Sequence, residues 1–225
     1  MRQSKDIGIK GSTRDKGETV MRVIGVTGGV GSGKSFVLNY IEEHFDARVV
    51  KADDVGHLLM MPGQVCYEPV IQLFGDWVVN EDGSLNRETI AQIVFEKKDM
   101  LEKLNKIIHP AVKKYIIREI ERSKKEETEF FFIEAALLLE DNYDEIYDEL
   151  WYIYCEKEVR MERLRRDRGY SEEKARKVME NQLSEDEFEA KCDFLLYNDE
   201  DVAHTYLQIE RRMRTYYESM RSEEH

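Results

Sequence analysis

Proline is scarce in this 225-residue chain, with only Pro62, Pro69 and Pro110, and no internal repeat or low-complexity linker divides it. Cysteine is equally sparse: Cys66, Cys155 and Cys192 are odd in number, far apart and without a CxxC pair. That excludes a disulfide scaffold or a zinc ribbon and points to a reducing, cytoplasmic setting. The five histidines are scattered and form no HExxH. No apolar run approaches the ~20 residues that span a bilayer. The longest, Ala135–Leu139 behind Phe130–Ile133, is broken by Glu134. Basic charge is in deficit, 34 Lys+Arg against 47 Asp+Glu for a net −13. Such a balance excludes a general binder of nucleic acid or of anionic membranes, but not a local basic pocket for a phosphorylated ligand. Residues 1–20 lack the apolar stretch of a secretory signal and read as a disordered tail, with Met21 as an alternative start.

What is present is core-forming material, 41% hydrophobic and 10% aromatic. Short continuous apolar runs fall at Arg22–Thr27, Val49–Ala52, Phe130–Ile133, Leu150–Cys155 and Phe194–Tyr197. Runs of that kind belong to strands covered on both faces of a parallel sheet. Helical patterns fill the gaps, so the expected fold is α/β: a doubly wound parallel sheet of about five strands flanked by helices. About 75 residues separate the second and third runs, far more than one crossover needs. They predict helices over Gln64–Phe74, Arg87–Glu96 and Met100–Ile107, and another opening at His109 with Pro110 in its first turn. Its buried stripe would be Val112, Ile116 and Ile120. This predicts a helical insert over 64–125 within a single domain 21–225, whose core is 21–63 and 126–225. A last amphipathic helix carries Val202, Tyr206, Ile209, Met213, Tyr216 and Met220 at spacings of four and three.

The chemistry lies in Gly28-Gly29-Val30-Gly31-Ser32-Gly33-Lys34-Ser35, which matches GxxxxGK[ST] between an apolar run and a helix. Glycines let backbone N–H groups turn inward around phosphate oxygens, and the helix N-terminus adds partial positive charge. Lys34 reaches the β- and γ-phosphates, and the Ser35 hydroxyl is placed for Mg²⁺. Gly29, Val30, Gly31, Ser32, Gly33, Lys34, Ser35 and Phe36 therefore form the candidate ATP site. A dinucleotide fingerprint fails, because the third glycine of GxGxxG would fall on Lys34 or Phe36. A guanine-reading [NT]KxD is also missing, which excludes a GTPase switch.

Asp53 and Asp54 follow the second strand, where a carboxylate accepts the proton of an acceptor alcohol; capping the next helix is the equal alternative for Asp53. Residues 160–176 hold Arg160, Arg163, Arg165, Arg166, Arg168, Lys174 and Arg176 and net +3 in an acidic chain. Two helices joined at Gly169-Tyr170-Ser171 suit a lid over about 160–185 that closes on phosphates; a solvated helix face is the alternative. Residues 126–149 hold ten carboxylates and no Lys or Arg. Glu134, Glu140 and Asp141 read as part of that solvated acidic stretch rather than as Mg²⁺ ligands. His109 reads as a helix cap, the cysteines as packed thiols, and Lys114, Arg118 and Arg122 as a surface stripe.

The opening Val23-Ile24-Gly25-Val26-Thr27 with its glycine loop resembles that of dephospho-CoA kinases. So do Ala52-Asp53, Pro62-Gly63, Phe74-Gly75, Asp82-Gly83-Ser84-Leu85-Asn86-Arg87, Leu104-Asn105-Lys106-Ile107-Ile108-His109-Pro110 and Leu137-Leu138. The resemblance covers about residues 21–198 and implies a P-loop kinase fold. It also implies ATP- and Mg²⁺-dependent phosphorylation of the 3′-hydroxyl of dephospho-CoA, the last step of coenzyme A synthesis. On that reading Asp53 is the base, Lys34, Arg163 and Arg166 are catalytic, and the insert binds the acceptor. The chain is expected to be a monomer or weak oligomer. The chain departs from the family pattern at Lys51 (usually Asp), Phe36 (commonly Thr), Ala136 (usually Pro) and Asp167-Arg168 (usually Arg-Asp). A nucleoside or nucleotide kinase, or a nucleotide-binding regulator without transfer, are the alternatives.

Overall fold

Phe130, Phe131, Phe132 and Ile133 have no solvent exposure. Four consecutive apolar side chains alternate between the two faces of a strand, so both faces must be covered, and helices on each side of a sheet do that. The computed structural model, which describes residues 21–135, 143–180, 182 and 185–223, has this architecture. Its strands are β1 (Arg22–Thr27), β2 (Ala47–Lys51), β3 (Phe130–Glu134), β4 (Glu149–Tyr154) and β5 (Phe194–Tyr197). The helices are α1 (Lys34–His44), α2 (Ala52–Leu59), α3 (Tyr67–Phe74), α4 (Arg87–Glu96), α5 (Lys98–Lys125), α6 (Lys157–Arg168), α7 (Glu172–Glu180), α8 (Glu185–Lys191) and α9 (Val202–Glu223). Every pairing is parallel, in the order β2-β3-β1-β4-β5. The expected tail, residues 1–20, lies outside the described residues, as do Ala136, Leu137-Leu138, Glu140 and Asp141.

Alternation sorts the strands into two cores. Val23, Phe131, Ile133 and Leu150 pack with α2 and α5, while Ile24, Val26, Phe130, Phe132, Trp151 and Ile153 pack with α1 and α9. Because β1 lies between β3 and β4, the chain leaves its carboxyl end at a topological switch point, where a crevice opens. The register aligns Glu134 with Val26 on one side and Lys51 on the other, so charges from two strand ends, β3 and β2, meet at that crevice.

Between β2 and β3 a third core forms from Val70, Phe74, Val78, Leu85, Ile90 and Leu104. The Asp82-Gly83-Ser84 turn is closed by the Asp82 carboxylate, which accepts from the Ser84 N–H at 2.9 Å and its hydroxyl at 2.6 Å. Asn86 then caps α4 by accepting from the Thr89 N–H at 3.0 Å, a contact worth about 1 kcal/mol. The predicted start of the first helix at Gln64 shifts to Tyr67, since Gln64 is a bend and Val65–Cys66 a turn.

The break expected between Ile107 and Pro110 is absent: α5 runs unbroken from Lys98 to Lys125, and His109 is a helical residue rather than a cap. An internal proline loses one helical hydrogen bond and costs about 3 kcal/mol. Leu104, Val112, Ile116 and Ile120 are buried along a stripe that crosses it. At about 1.5–3 kcal/mol each, their burial outweighs the proline. In α9, Ile209, Met213 and Tyr216 are buried as expected, but Val202 is 52% exposed and Thr205 takes the inward position. The Thr205 hydroxyl donates to Asn198 Oδ1 at 3.0 Å, which seats the first turn of α9 on the end of β5.

At the amino-terminal end of β4, α9 is held by a buried polar group. Arg212 donates to the Glu149 carboxylate at 2.6 and 3.0 Å, and Trp151 Nε1 donates to the same carboxylate and to the Tyr216 hydroxyl, each at 2.9 Å. Removing the cation leaves Glu149 charged and shielded from water. Arg212→Met is therefore expected to cost about 3 kcal/mol, lowering the thermal midpoint by roughly 6–12 °C. Thermal unfolding followed by circular dichroism checks it, and an unmoved midpoint would show that Glu149 finds other partners.

Candidate active site

The loop from Gly28 to Gly33 joins the central strand β1 to α1, whose preceding residue Gly33 has left-handed φ of 87°. A Cβ at Gly33 would fall 2.2 Å from Asn198 Nδ2, and one at Gly29 would fall 2.2 Å from the Arg160 guanidinium. Both glycines are thus required by close approach of side chains from other elements. The loop carbonyls are tied back one by one. Lys34 Nζ donates to Gly28 O at 2.9 Å, Arg160 Nε to Val30 O at 3.0 Å, and Asn198 Nδ2 and Arg163 Nη1 to Ser32 O at 2.7 and 3.3 Å. With these carbonyls held, the loop lines the crevice; the Val30 N–H is taken by Gln182 Oε1 and the Ser32 N–H by Gly29 O, so an anion there meets the remaining loop N–H groups.

The crevice has a volume of about 590 Å³ and is lined by the loop, Lys34, Ser35, Lys51, Asp53, Asp54, Glu134, Arg163, Arg168 and Gln182. Asp53 and Asp54 stand in the first turn of α2, directly after β2. Burial pushes the Lys34 ammonium below its ordinary pKa and Arg160 and Arg168 push the same way, while Glu134 and Asp53 pull it back. Burial raises the Glu134 carboxyl above its ordinary pKa against the pull of Lys34 and Lys51, with Asp53 and Asp54 adding to the rise.

The expected site residues separate into groups. Val30, Gly31, Gly33, Lys34, Ser35, Asp53 and Arg163 line the crevice. Gly29 lies against the Arg160 guanidinium, and Ser32 is buried in the turn that its N–H closes onto Gly29 O at 3.1 Å. Phe36 stacks on Tyr206 with ring centroids 5.5 Å apart, away from the crevice. Arg166 is exposed and held by its neighbour Asp167 at 2.7 Å, whereas Arg168 reaches the crevice. Arg160, expected in the lid's basic surface, is instead buried behind the loop at 7% exposure.

Glu134 does not belong to a solvated acidic stretch; it closes the crevice floor, because the β3 register carries it between β1 and β2. Asn198 and Gln182 are loop partners that local patterns do not reveal. Each is a lone polar residue more than 150 positions from its contact, and neither belongs to a spaced motif. Cys66 and Cys155 are buried and Cys192 partly so, and burial pushes the Cys192 thiol up to about 12, consistent with packed, unreactive groups.

A parallel sheet with its phosphate-binding loop after the central strand, carboxylates across the crevice and arginines beside it is a P-loop phosphotransferase. The chain belongs to the dephospho-CoA kinase family, whose model matches residues 22–204, and it is accordingly an ATP-using kinase. It is 31% identical over 194 residues to a dephospho-CoA kinase of Streptococcus mutans, covering 86% of this chain and 96% of that one. It is 34% identical over 194 residues to one from Symbiobacterium thermophilum, covering 86% and 81%. The fold is shared with a crystal structure from Thermus thermophilus, 24% identical with a TM-score of 0.74 over 88% of this chain and 97% of that one. The dephospho-CoA kinase from Campylobacter jejuni, 20% identical, gives a TM-score of 0.66 over 89% and 99%. Among the described residues no helix is long and apolar enough to cross a membrane.

The raised Glu134 pKa has a sign that thermal unfolding reads. A carboxyl that holds its proton more tightly folded than unfolded stabilises the fold below its unfolded pKa. That contribution is lost as pH rises through the folded pKa. Glu134→Gln is therefore expected to raise the thermal midpoint relative to wild type at pH 7.5, with a smaller difference at about pH 4.5. A difference that does not change with pH would remove Glu134 from the titrating groups of the fold.

Proposed function

We propose that this protein phosphorylates the 3′-hydroxyl of dephospho-CoA with ATP, and that Asp53 is the base. The observation that carries the reading is the placement of Asp53 in one crevice with Lys34, Ser35 and the phosphate-binding loop, at the point where β2 passes into α2. The hydroxyl proton passes to the Asp53 carboxylate as the 3′-oxygen bonds the γ-phosphorus. The bond to the β–γ bridging oxygen breaks, and ADP leaves with that electron pair. Lys34 and the loop N–H groups hold the phosphates, while Arg163 and Arg168 face the charge that builds on the transferring group. Arg166 carries no such role here, being engaged by Asp167 at the surface.

Among the described residues no group of three His, Cys, Asp or Glu side chains forms a metal cage. Hard oxygen donors are nevertheless present in the crevice: the Ser35 hydroxyl and the Asp53 and Glu134 carboxylates. This set fits Mg²⁺ held by one or two protein oxygens together with the phosphates of ATP. Bound there, the ion supplies neutralisation of phosphate charge.

The acceptor is assigned to the space between α2 and the helices of 64–125, and the lid to about 160–185. Two contacts support the assignment: Arg87 of α4 meets His57 of α2, and the Lys177 ammonium of α7 lies 5.4 Å from the Phe95 ring of α4. The insert thus touches both the Asp53-bearing helix and the lid. Three unbonded cysteines fit a reducing compartment, and the cytoplasm is the proposed location. Intact Lys34, Ser35 and Asp53 favour an active enzyme over a nucleotide-binding regulator.

A coupled assay of ADP release with dephospho-CoA, adenosine and uridine tests the acceptor; release with dephospho-CoA alone is expected, and release with uridine instead would overturn the reading. Asp53→Asn is expected to keep ATP binding while turnover falls at least about tenfold. Unchanged turnover would remove Asp53 from the mechanism.

A further inference from the structure

One residue of the phosphate-binding loop is gripped on both sides by side chains from outside it. Arg160 Nε donates to Val30 O at 3.0 Å, and Gln182 Oε1 accepts from the Val30 N–H at 2.9 Å. Arg160 Nη2 donates to the same Gln182 oxygen at 3.0 Å, which closes the three bonds into a ring. Arg160 is only 7% exposed, so its charge depends on these acceptors. The loop is shaped around it, since a Cβ at Gly29 would meet the guanidinium at 2.2 Å.

The two clip residues bracket the basic segment. Arg160 stands in the first half of α6, with Arg163 about one turn and Arg168 about two turns further along, both lining the crevice. Gln182 lies past the end of α7, where the chain returns from that excursion. Both ends of the arginine-bearing segment are thereby fastened to the crest of the loop that holds the nucleotide. We infer that Gln182 is a positioning residue for phosphoryl transfer, clipping the lid to Val30 through Arg160 so that Arg163 and Arg168 keep a set distance from the bound phosphates. The inference rests on the ATP site proposed above, but not on the identity of the acceptor.

The side-chain chemistry is specific. One oxygen must accept from two donors, which the glutamine amide oxygen does. A methionine of similar length has no strong acceptor, and an asparagine stops one methylene short. Loss of that oxygen leaves the Val30 N–H without its partner and Arg160 short of one acceptor. The loop and lid then shift relative to one another.

The test uses the full chain as Gln182→Met, Gln182→Asn, Arg160→Lys and the Gln182→Met/Arg160→Lys pair. Affinity for a non-hydrolysable ATP analogue is measured, with the KM for ATP, the KM for dephospho-CoA, kcat and the thermal midpoint. Gln182→Met is expected to weaken analogue binding and raise the KM for ATP about tenfold, while the KM for dephospho-CoA stays within about twofold. The double variant is expected to be no worse than the more impaired single one, because both break the same clip.

Unchanged analogue affinity in Gln182→Met, or losses that multiply in the double variant, would overturn the proposal. So would a fall in midpoint and active fraction with both KM values unmoved, which is the signature of a purely structural role. Where Gln182→Met does not fold, Gln182→Asn decides by the same readings. Wild-type protein that binds the analogue but does not turn over dephospho-CoA overturns the proposed acceptor; the analogue affinities still decide the clip.

Discussion

A loop that turns its N–H groups toward an anion must send its carbonyl groups the other way, and those carbonyls need donors that are not water. Here the donors are charged or amide side chains: Lys34 of the loop itself on Gly28 and, from distant parts of the chain, Arg160 on Val30 and Asn198 and Arg163 on Ser32. Each such bond contributes on the order of 1 kcal/mol net, more where the donor is charged. Leaving any of these carbonyls buried and unpaired costs more than that. The glycines follow from the same constraint, since Gly29 and Gly33 lie where Arg160 and Asn198 press against the main chain. The phosphate cradle is therefore a joint product of β1, α1, α6 and the end of β5, rather than of eight consecutive residues.

The sheet order makes that collaboration possible. With β1 central, β3 on one side brings Glu134 and, through its register with β2, Lys51 and the start of α2. β4 and β5 on the other side bring α6 and Asn198. In a protein of net charge −13, cations and carboxylates are thus interleaved at one crevice, where burial already disturbs Lys34 and Glu134 in opposite directions. An acidic protein that handles polyanions concentrates positive potential at the mouth where the ligand enters. The exposed acids elsewhere do not oppose it strongly, because screening removes interactions beyond about 10 Å.

Legibility in the sequence followed the range of the signal. The central strands β1, β3 and β4 are visible as apolar runs because they are buried on both faces, and Phe130–Ile133 is the clearest instance. α4 was visible to the residue because Asn86 caps it. α5 reads as two helices from sequence because Pro110 is a local stop signal, and only the shared buried stripe across it shows that tertiary packing prevails. Glu134 reads as surface from its acidic neighbours in sequence, while its neighbours in space are Lys34 and Lys51. The lid arginines were recognisable as a cluster but not individually.

By itself, the sequence determined the strand and helix alternation, the phosphate-binding loop and the carboxylates after β2. Each of these is encoded in contiguous residues whose periodicity or spacing has a direct physical meaning. Tertiary structure alone decided that Arg168 rather than Arg166 faces the crevice, that Arg160 lies beneath the loop, and that Gln182 and Asn198 hold it. These choices depend on the reach of a side chain from one element to another across 152 and 166 positions of chain. They follow from how helices seat on a twisted sheet, which no local pattern records.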